Sequence, residues 1–402
     1  MSTRETVVRL AGRGDGVTDA GRYVSLAAPG DVAVIDGATV SIEPGPNHAT
    51  PPCSHFPDCG GCQLQHVADP AYAEWAAARI VFALAQQGLE PGEVMPVHLS
   101  PPRSRRRASL RAVRKGRDIA LGFNAENSHR IVDMRECHVI APALFALVAP
   151  LRALLATLVG PGQGAGVTMT LTAEGVDLML SNVPAETYEE IERLTAFAGT
   201  NGLARLTVEG AGGLQTLAEA RQPVVRFDGV PVALPPGAFL QATADGEAAL
   251  TAAVLAGTEG ATRVADLFCG LGTFALPLAR TAQVHAADAA RDPVLALGAA
   301  ARASGRPVTA DHRDLFRRPL TADELNRFDA VVFDPPRAGA VAQVAALARS
   351  TVPRIVAVSC NPATFARDAA MLATGGYRIE RLWPVGQFRW STHLELAALL
   401  VR

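Results

Sequence analysis

The chain has 402 residues, 49% of them hydrophobic and 19% charged, with a formal net charge of −2 and a pI near 6.5. That length predicts two or three domains with enough apolar material for real cores. The near-neutral balance excludes an overall basic surface, and no apolar run reaches the ~20 residues that a membrane span needs. The opening Met-Ser-Thr-Arg-Glu lacks a signal-peptide apolar region. A cytoplasmic, monomeric protein is therefore expected, in a compartment where thiols stay reduced and grouped cysteines bind metal more often than they pair.

In chain order, short alternating runs at 6–10, 23–26, 32–35 and 39–42, broken by glycines and Pro29-Gly30, predict a small β-barrel. Glu43-Pro44-Gly45-Pro46-Asn47 reads as a linker. A helix is expected over 70–87, with Asp69 as its N-cap, Pro70 in the first turn and Gly88 as its stop. A hairpin follows, with strands at 108–114 and 119–123 around Lys115-Gly116-Arg117-Asp118. Strands within 167–182 and at 203–208, around a helix near 186–198, make the middle of the chain α+β. From about 245 the pattern becomes helix 245–256, strand 263–267, a glycine loop and a helix. Further strands at 284–287, 329–333 and 354–358 then alternate with helices. Such alternation builds a mostly parallel, doubly wound α/β sheet. The expected division is 1–47, 48–225 and 226–402.

The six cysteines separate into two chemistries. Cys53, Cys59 and Cys62 form a C-x5-C-x2-C set, with Cys137 as a distant partner. A zinc ribbon brings two C-x2-C pairs, so this set suits an iron–sulfur site better. The C-x3-C-x2-C spacing of radical enzymes is absent, which gives any cluster a structural or RNA-ordering role. Cys360, in Val358-Ser359-Cys360-Asn361-Pro362, follows a predicted strand and faces a helix over 364–374 with Thr364 as its cap. That placement predicts a lowered thiol pKa and a nucleophile.

Val264-Ala265-Asp266-Leu267-Phe268-Cys269-Gly270-Leu271-Gly272-Thr273-Phe274 is a strand, a glycine loop and a helix start. Gly270-x-Gly272-x-x-Ala275 also satisfies a loose dinucleotide pattern, which leaves an iron–sulfur oxidoreductase as an alternative. Asp266 beside the loop would repel a pyrophosphate and suits the cationic groups of S-adenosylmethionine. Asp334-Pro335-Pro336-Arg337 carries Arg337 where amino-group methyltransferases place a stacking aromatic. Glu395, at the start of a final apolar strand over 396–401, is the leading candidate for a base, with His393 its competitor. Arginines at 103, 105, 106, 107, 111, 114 and 117, with the only lysine, Lys115, form a patch suited to RNA backbone.

Taken together, these motifs resemble the S-adenosylmethionine-dependent RNA uracil-C5 methyltransferases. The resemblance rests on the cysteine set with His66, the 266–274 loop, Asp334-Pro335-Pro336-Arg337-x-Gly339, Ser359-Cys360-Asn361-Pro362-Ala363-Thr364 and His393-x-Glu395. It implies a Rossmann-like class I methyltransferase domain, a central α+β domain and an N-terminal OB-like TRAM barrel. It also implies Cys360 as nucleophile and Glu395 as proton acceptor, with cofactor contacts at Gln241, Phe268, Thr273, Asp288, Asp314 and Asp334. A [4Fe–4S] cluster on Cys53, Cys59, Cys62 and Cys137 is a further implication. It points to 23S ribosomal RNA as substrate, because the transfer-RNA branch commonly lacks these cysteines. Ala242-Thr243, Thr273, Asp288 and Asp314 depart from the family's usual residues while the last three keep polar character. A catalytically dead RNA-binding protein is a third reading, which intact Cys360 and Glu395 oppose.

Overall fold

The computed structural model describes residues 2–402, whose strands form five-, six- and nine-stranded sheets and the hairpin Val224–Phe227/Val230–Ala233. The first sheet runs Tyr23–Val24, Gly16–Thr18, Thr3–Leu10, Val32–Asp36, Thr39–Glu43 over a small core of Val7, Val24, Ala27 and Ala33. Its two edge strands do not pair with each other, so the expected barrel is an open sheet in its strand pairing. The segment after it is packed rather than a free linker. Fully buried Asp31 accepts the Ala28 N–H, the Gly45 N–H and His48 Nδ1, each at 2.7 Å. A Cβ on Gly45 would lie 2.1 Å from the Gly30 carbonyl oxygen.

The central sheet runs Gly213–Glu219, Arg205–Gly210, Gly175–Ser181, Gly164–Thr172, Arg107–Lys115, Asp118–Gly122. Helices Val148–Leu158 and Tyr188–Thr200 share its apolar core, and a Thr187/Glu190 capping box starts the second helix. The arginine patch is divided here instead of forming one face. Arg106 pairs with Glu247 at 2.6 Å, Arg114 donates to backbone carbonyls, and Arg103, Arg111, Lys115 and Arg117 stay exposed.

The last sheet carries parallel strands Val308–His312, Gln283–Asp288, Arg263–Leu267, Ala330–Phe333 and Arg354–Ser359, in that spatial order. Glu395–Val401 then inserts antiparallel between Arg354–Ser359 and Arg378–Gly386. Apolar clusters cover both faces, which is why these strands read as continuous hydrophobic runs. Helix Asp69–Ala85 packs on one of those faces. Asp69 is its first residue rather than its cap, because its carboxylate is taken by Arg389 at 2.6 and 2.7 Å. No helix among the described residues is long and apolar enough to cross a membrane.

Asp31→Ala leaves two backbone N–H groups and His48 without their acceptor. A loss of about 1–3 kcal/mol is expected, seen as a lower melting temperature and faster proteolysis within residues 43–48. Unchanged melting and cleavage would contradict the role of Asp31.

Candidate active site

In open α/β sheets a ligand crevice lies outside the carboxyl ends of the strands, where the strand order reverses. Here that point lies between Arg263–Leu267 and Ala330–Phe333. The loop after the first strand turns sharply, with Phe268 at φ +63°, Gly270 at +52° and Gly272 at +90°. Side chains rarely tolerate that region, and a Cβ on Gly272 would meet Leu297 Cδ1 at 2.4 Å. The loop opens into a single helical turn, Ala275–Leu278, shorter than the expected helix because Arg280 and Thr281 bond only three residues back, to Pro277 and Leu278. Half-buried Thr273 stands just before it.

Asp288, ending strand Gln283–Asp288, accepts the N–H groups of Gly270 and Ala290 at 2.9 and 2.7 Å. Asp314 accepts the Phe316 and Arg317 N–H groups, and the half-exposed Phe316 ring lies 5.5 Å from that of Phe268. Asp266 sits beneath the loop and not on its ligand side, as a residue of the buried strand. The Ala275 N–H points towards it, yet neither oxygen closes a hydrogen bond. Burial raises its pKa well above the usual carboxylate range, and Asp334 and Asp288 add to the effect. Asp334, next along the edge, is pushed up to about 7 by burial and by Asp288.

Glu395 is 4% exposed and is pushed up to about 8, by burial first and Asp334 second. The pairing of Ser359 with Leu396 sets Cys360 across from it. The thiol is not lowered as expected. Burial first, then Glu395 and Asp334, raise it to about 11 against the opposing charge of Arg337. Helix Pro362–Thr374 gives little relief because its own cap, Asn361, already accepts the Ala363 N–H at 3.1 Å. Thr364 is not the cap: its hydroxyl donates to the carbonyls of Asn361 and Arg337. His393 packs edge-on against Phe388, and burial with Arg337 and Arg79 nearby lowers its pKa.

One residue that the sequence reading missed joins this edge. Gln387, 1% exposed, donates to Gln241 Oε1 at 2.7 Å, accepts the Ala242 N–H at 3.0 Å and eases the Glu395 carboxyl down against its burial. Gln241 in turn donates to Asp334 at 3.4 Å. A glutamine in an otherwise apolar strand approach, Val385-Gly386-Gln387-Phe388, was the available signal.

The four grouped cysteines come together. Cys53, Cys59, Cys62 and Cys137 line one cavity with Phe123, Val139 and the guanidinium of Arg105. None is in a disulfide, and Cys53 Sγ, a His55 ring nitrogen and a Glu136 oxygen lie within 4.8 Å of one another. Burial raises the pKa of Cys53, Cys59 and Cys62, the last to about 12, and the neighbouring sulfurs add to it. His66 lies outside that lining: its ring stacks near Phe56 and both nitrogens are buried without a partner.

A sequence profile of the tRNA (uracil-5-)-methyltransferase family matches residues 307–402. An RNA methyltransferase of Zymomonas mobilis, itself uncharacterized, is 45% identical over 98% of this chain and 99% of its own. The 23S rRNA (uracil(1939)-C(5))-methyltransferase of Aeromonas salmonicida is 31% identical over 89% of this chain and 84% of its own. The crystal structure of the Pyrococcus abyssi tRNA (uracil-54, C5)-methyltransferase, holding S-adenosyl-L-homocysteine, shares the fold. It gives a TM-score of 0.77 at 23% identity, with 99% of each chain covered. The chain belongs to the S-adenosylmethionine-dependent RNA uracil-C5 methyltransferase family.

Proposed function

We propose that this chain methylates C5 of one uridine in 23S ribosomal RNA, with Cys360 as nucleophile and Glu395 as proton acceptor. The observation that carries this reading is the register that sets a thiol across from a buried carboxylate at the ligand edge of the sheet. S-adenosylmethionine supplies an electrophilic methyl group on a cationic sulfonium. Gln241, Phe268, Thr273, Asp288, Asp314 and Asp334 would hold it. Asp334 and Glu395 fit such a cation, because their burial with so little cationic compensation is what keeps their pKa values high.

The chemistry follows from what uracil lacks. Its C5 is a poor nucleophile until a thiolate adds at C6. In that step a Cys360 S–C6 bond forms, and the C5=C6 electron pair moves onto C5 and O4. C5 then takes the methyl group as the donor's sulfur keeps the electron pair of the broken bond. Glu395 accepts the C5 proton, the C5=C6 bond re-forms and the thiolate leaves. A positive charge held beside Asp334 and Glu395 also opposes the negative field that keeps the resting thiol protonated. The base must leave its stack to reach this edge, at a cost of a few kcal/mol that RNA contacts offset.

The cysteine cavity fits a [4Fe–4S] cluster: four thiol ligands face one space, and the raised pKa values of Cys53, Cys59 and Cys62 leave those three protonated unless a metal cation ionises them. Cys53, Cys59, Cys62 and Cys137 would hold it, as a structural knot on the RNA-facing side. These cysteines, with the 31% identity to a 23S rRNA enzyme, favour ribosomal over transfer RNA.

Cys360→Ala should abolish methyl transfer while S-adenosylmethionine binding, read by calorimetry, stays within about twofold. Glu395→Gln should retain a covalent, methylated RNA adduct, visible as a slow-migrating band in a denaturing gel. Absence of that band removes Glu395 from its role.

The acid that must be ionised to accept a proton is held near 8. Its base form, and with it kcat/KM, therefore grows as pH rises from 6 through about 8, since this parameter reports the free enzyme. A pH–rate profile that is flat or falls over this range would contradict the assignment.

A further inference from the structure

We infer that Trp390 is a positioning residue for Glu395, through which the cysteine segment sets the geometry of the base. The inference rests on the reading of Glu395 as proton acceptor. Trp390 has φ +59°, a left-handed conformation that strains a bulky residue and persists only where its surroundings over-determine it.

Those surroundings are on the cysteine side. The Trp390 carbonyl accepts two N–H groups, from Gln63 at 2.7 Å and Leu64 at 2.9 Å, the two residues directly after Cys62. Its ring is 7% exposed and packs with Cys62 and Val139. The Arg389 guanidinium covers that ring at 4.7 Å. Arg389 is itself pinned by both oxygens of Asp69 and by the Ser100 carbonyl at 3.1 Å.

The restraint continues towards the base. The Tyr72 hydroxyl donates to the Ser391 carbonyl at 3.0 Å, Arg79 donates to the Thr392 carbonyl, and Ser391 Oγ accepts the His393 N–H at 3.2 Å. Two residues later comes Glu395, and at the other end of the same loop Val385, two residues before Gln387, pairs with Glu395 in the sheet. The loop thus begins and ends on the base, and its strained midpoint is held from the cysteine side. Without the Trp390 ring the left-handed turn loses its packing, and the loop can relax by moving Gln387 and Glu395 away from Cys360. A misplacement of about 1 Å is enough to cost up to 10²-fold in a proton-transfer step.

The test uses the full-length enzyme, undermethylated ribosomal RNA carrying tritium at uracil C5, and Trp390→Ala. Tritium release reports proton removal, and methyl incorporation into a gel-shifted adduct reports the steps before it. Release should slow about tenfold or more while the KM for S-adenosylmethionine stays within about twofold and methylated adduct accumulates. Trp390→Phe, which keeps an aromatic ring on Cys62, should recover most of the release. Should Trp390→Ala not fold, Arg389→Lys loosens the same ring and should give the same pattern at smaller amplitude. Unchanged release, or adduct formation and release falling in parallel, overturns the inference. Glu395→Gln run alongside separates the two ideas. Adduct in that variant but not in Trp390→Ala sinks only the positioning role, whereas adduct in neither sinks the reading of Glu395 as well.

Discussion

Everything at this site depends on one strand running against its neighbours. Four parallel connections bring polar residues to the carboxyl edge of the sheet, and Glu395–Val401 then enters in the opposite direction beside Arg354–Ser359. Its first residue therefore meets the end of the strand before Cys360. Had the insertion been parallel, Glu395 would lie at the far edge of the sheet. The reactive pair is a consequence of topology, and it brings two groups that are distant in the fold's connectivity to one point without any loop having to reach.

That arrangement concentrates negative potential in a dry place. Asp266, Asp334 and Glu395 all lie high in their pKa values, chiefly from burial and then from neighbouring carboxylates, Asp288 among them, and Cys360 is raised by burial, Glu395 and Asp334. Such a cluster is poor at holding itself ionised and good at attracting a cation. A sulfonium suits it electrically, and a pyrophosphate does not. The reading of the glycine loop as a methyl-donor site thus rests on the surrounding carboxylates more than on the glycines, whose pattern several ligand classes share.

Much of this was legible in the sequence, for identifiable reasons. Apolar strands alternating with helices pointed to the doubly wound sheet, because strands covered on both faces leave little freedom in composition. The four cysteines could be grouped because metal sites leave few other uses for such spacing. What failed was long-range. Asp69 looked like a helix cap because nothing local reveals Arg389, far along the chain, taking its carboxylate. Cys360 looked like an activated thiol because the helix ahead is visible in sequence, whereas Glu395 and Asp334 closing round it are not. The arginine run read as one surface, yet Arg105 lines the cysteine cavity and Arg106 pairs with Glu247. Gln387 and Trp390 were missed because their importance lies in what they touch.

The most direct measurement is mass spectrometry of the enzyme after reaction with S-adenosylmethionine and ribosomal RNA containing 5-fluorouridine. Fluorine at C5 cannot leave as a proton, so addition and methylation occur and release does not. A methylated fluorouridine nucleotide attached to Cys360 is the expected product. Attachment to another residue, or methylation with no attachment at all, would contradict the account at its centre.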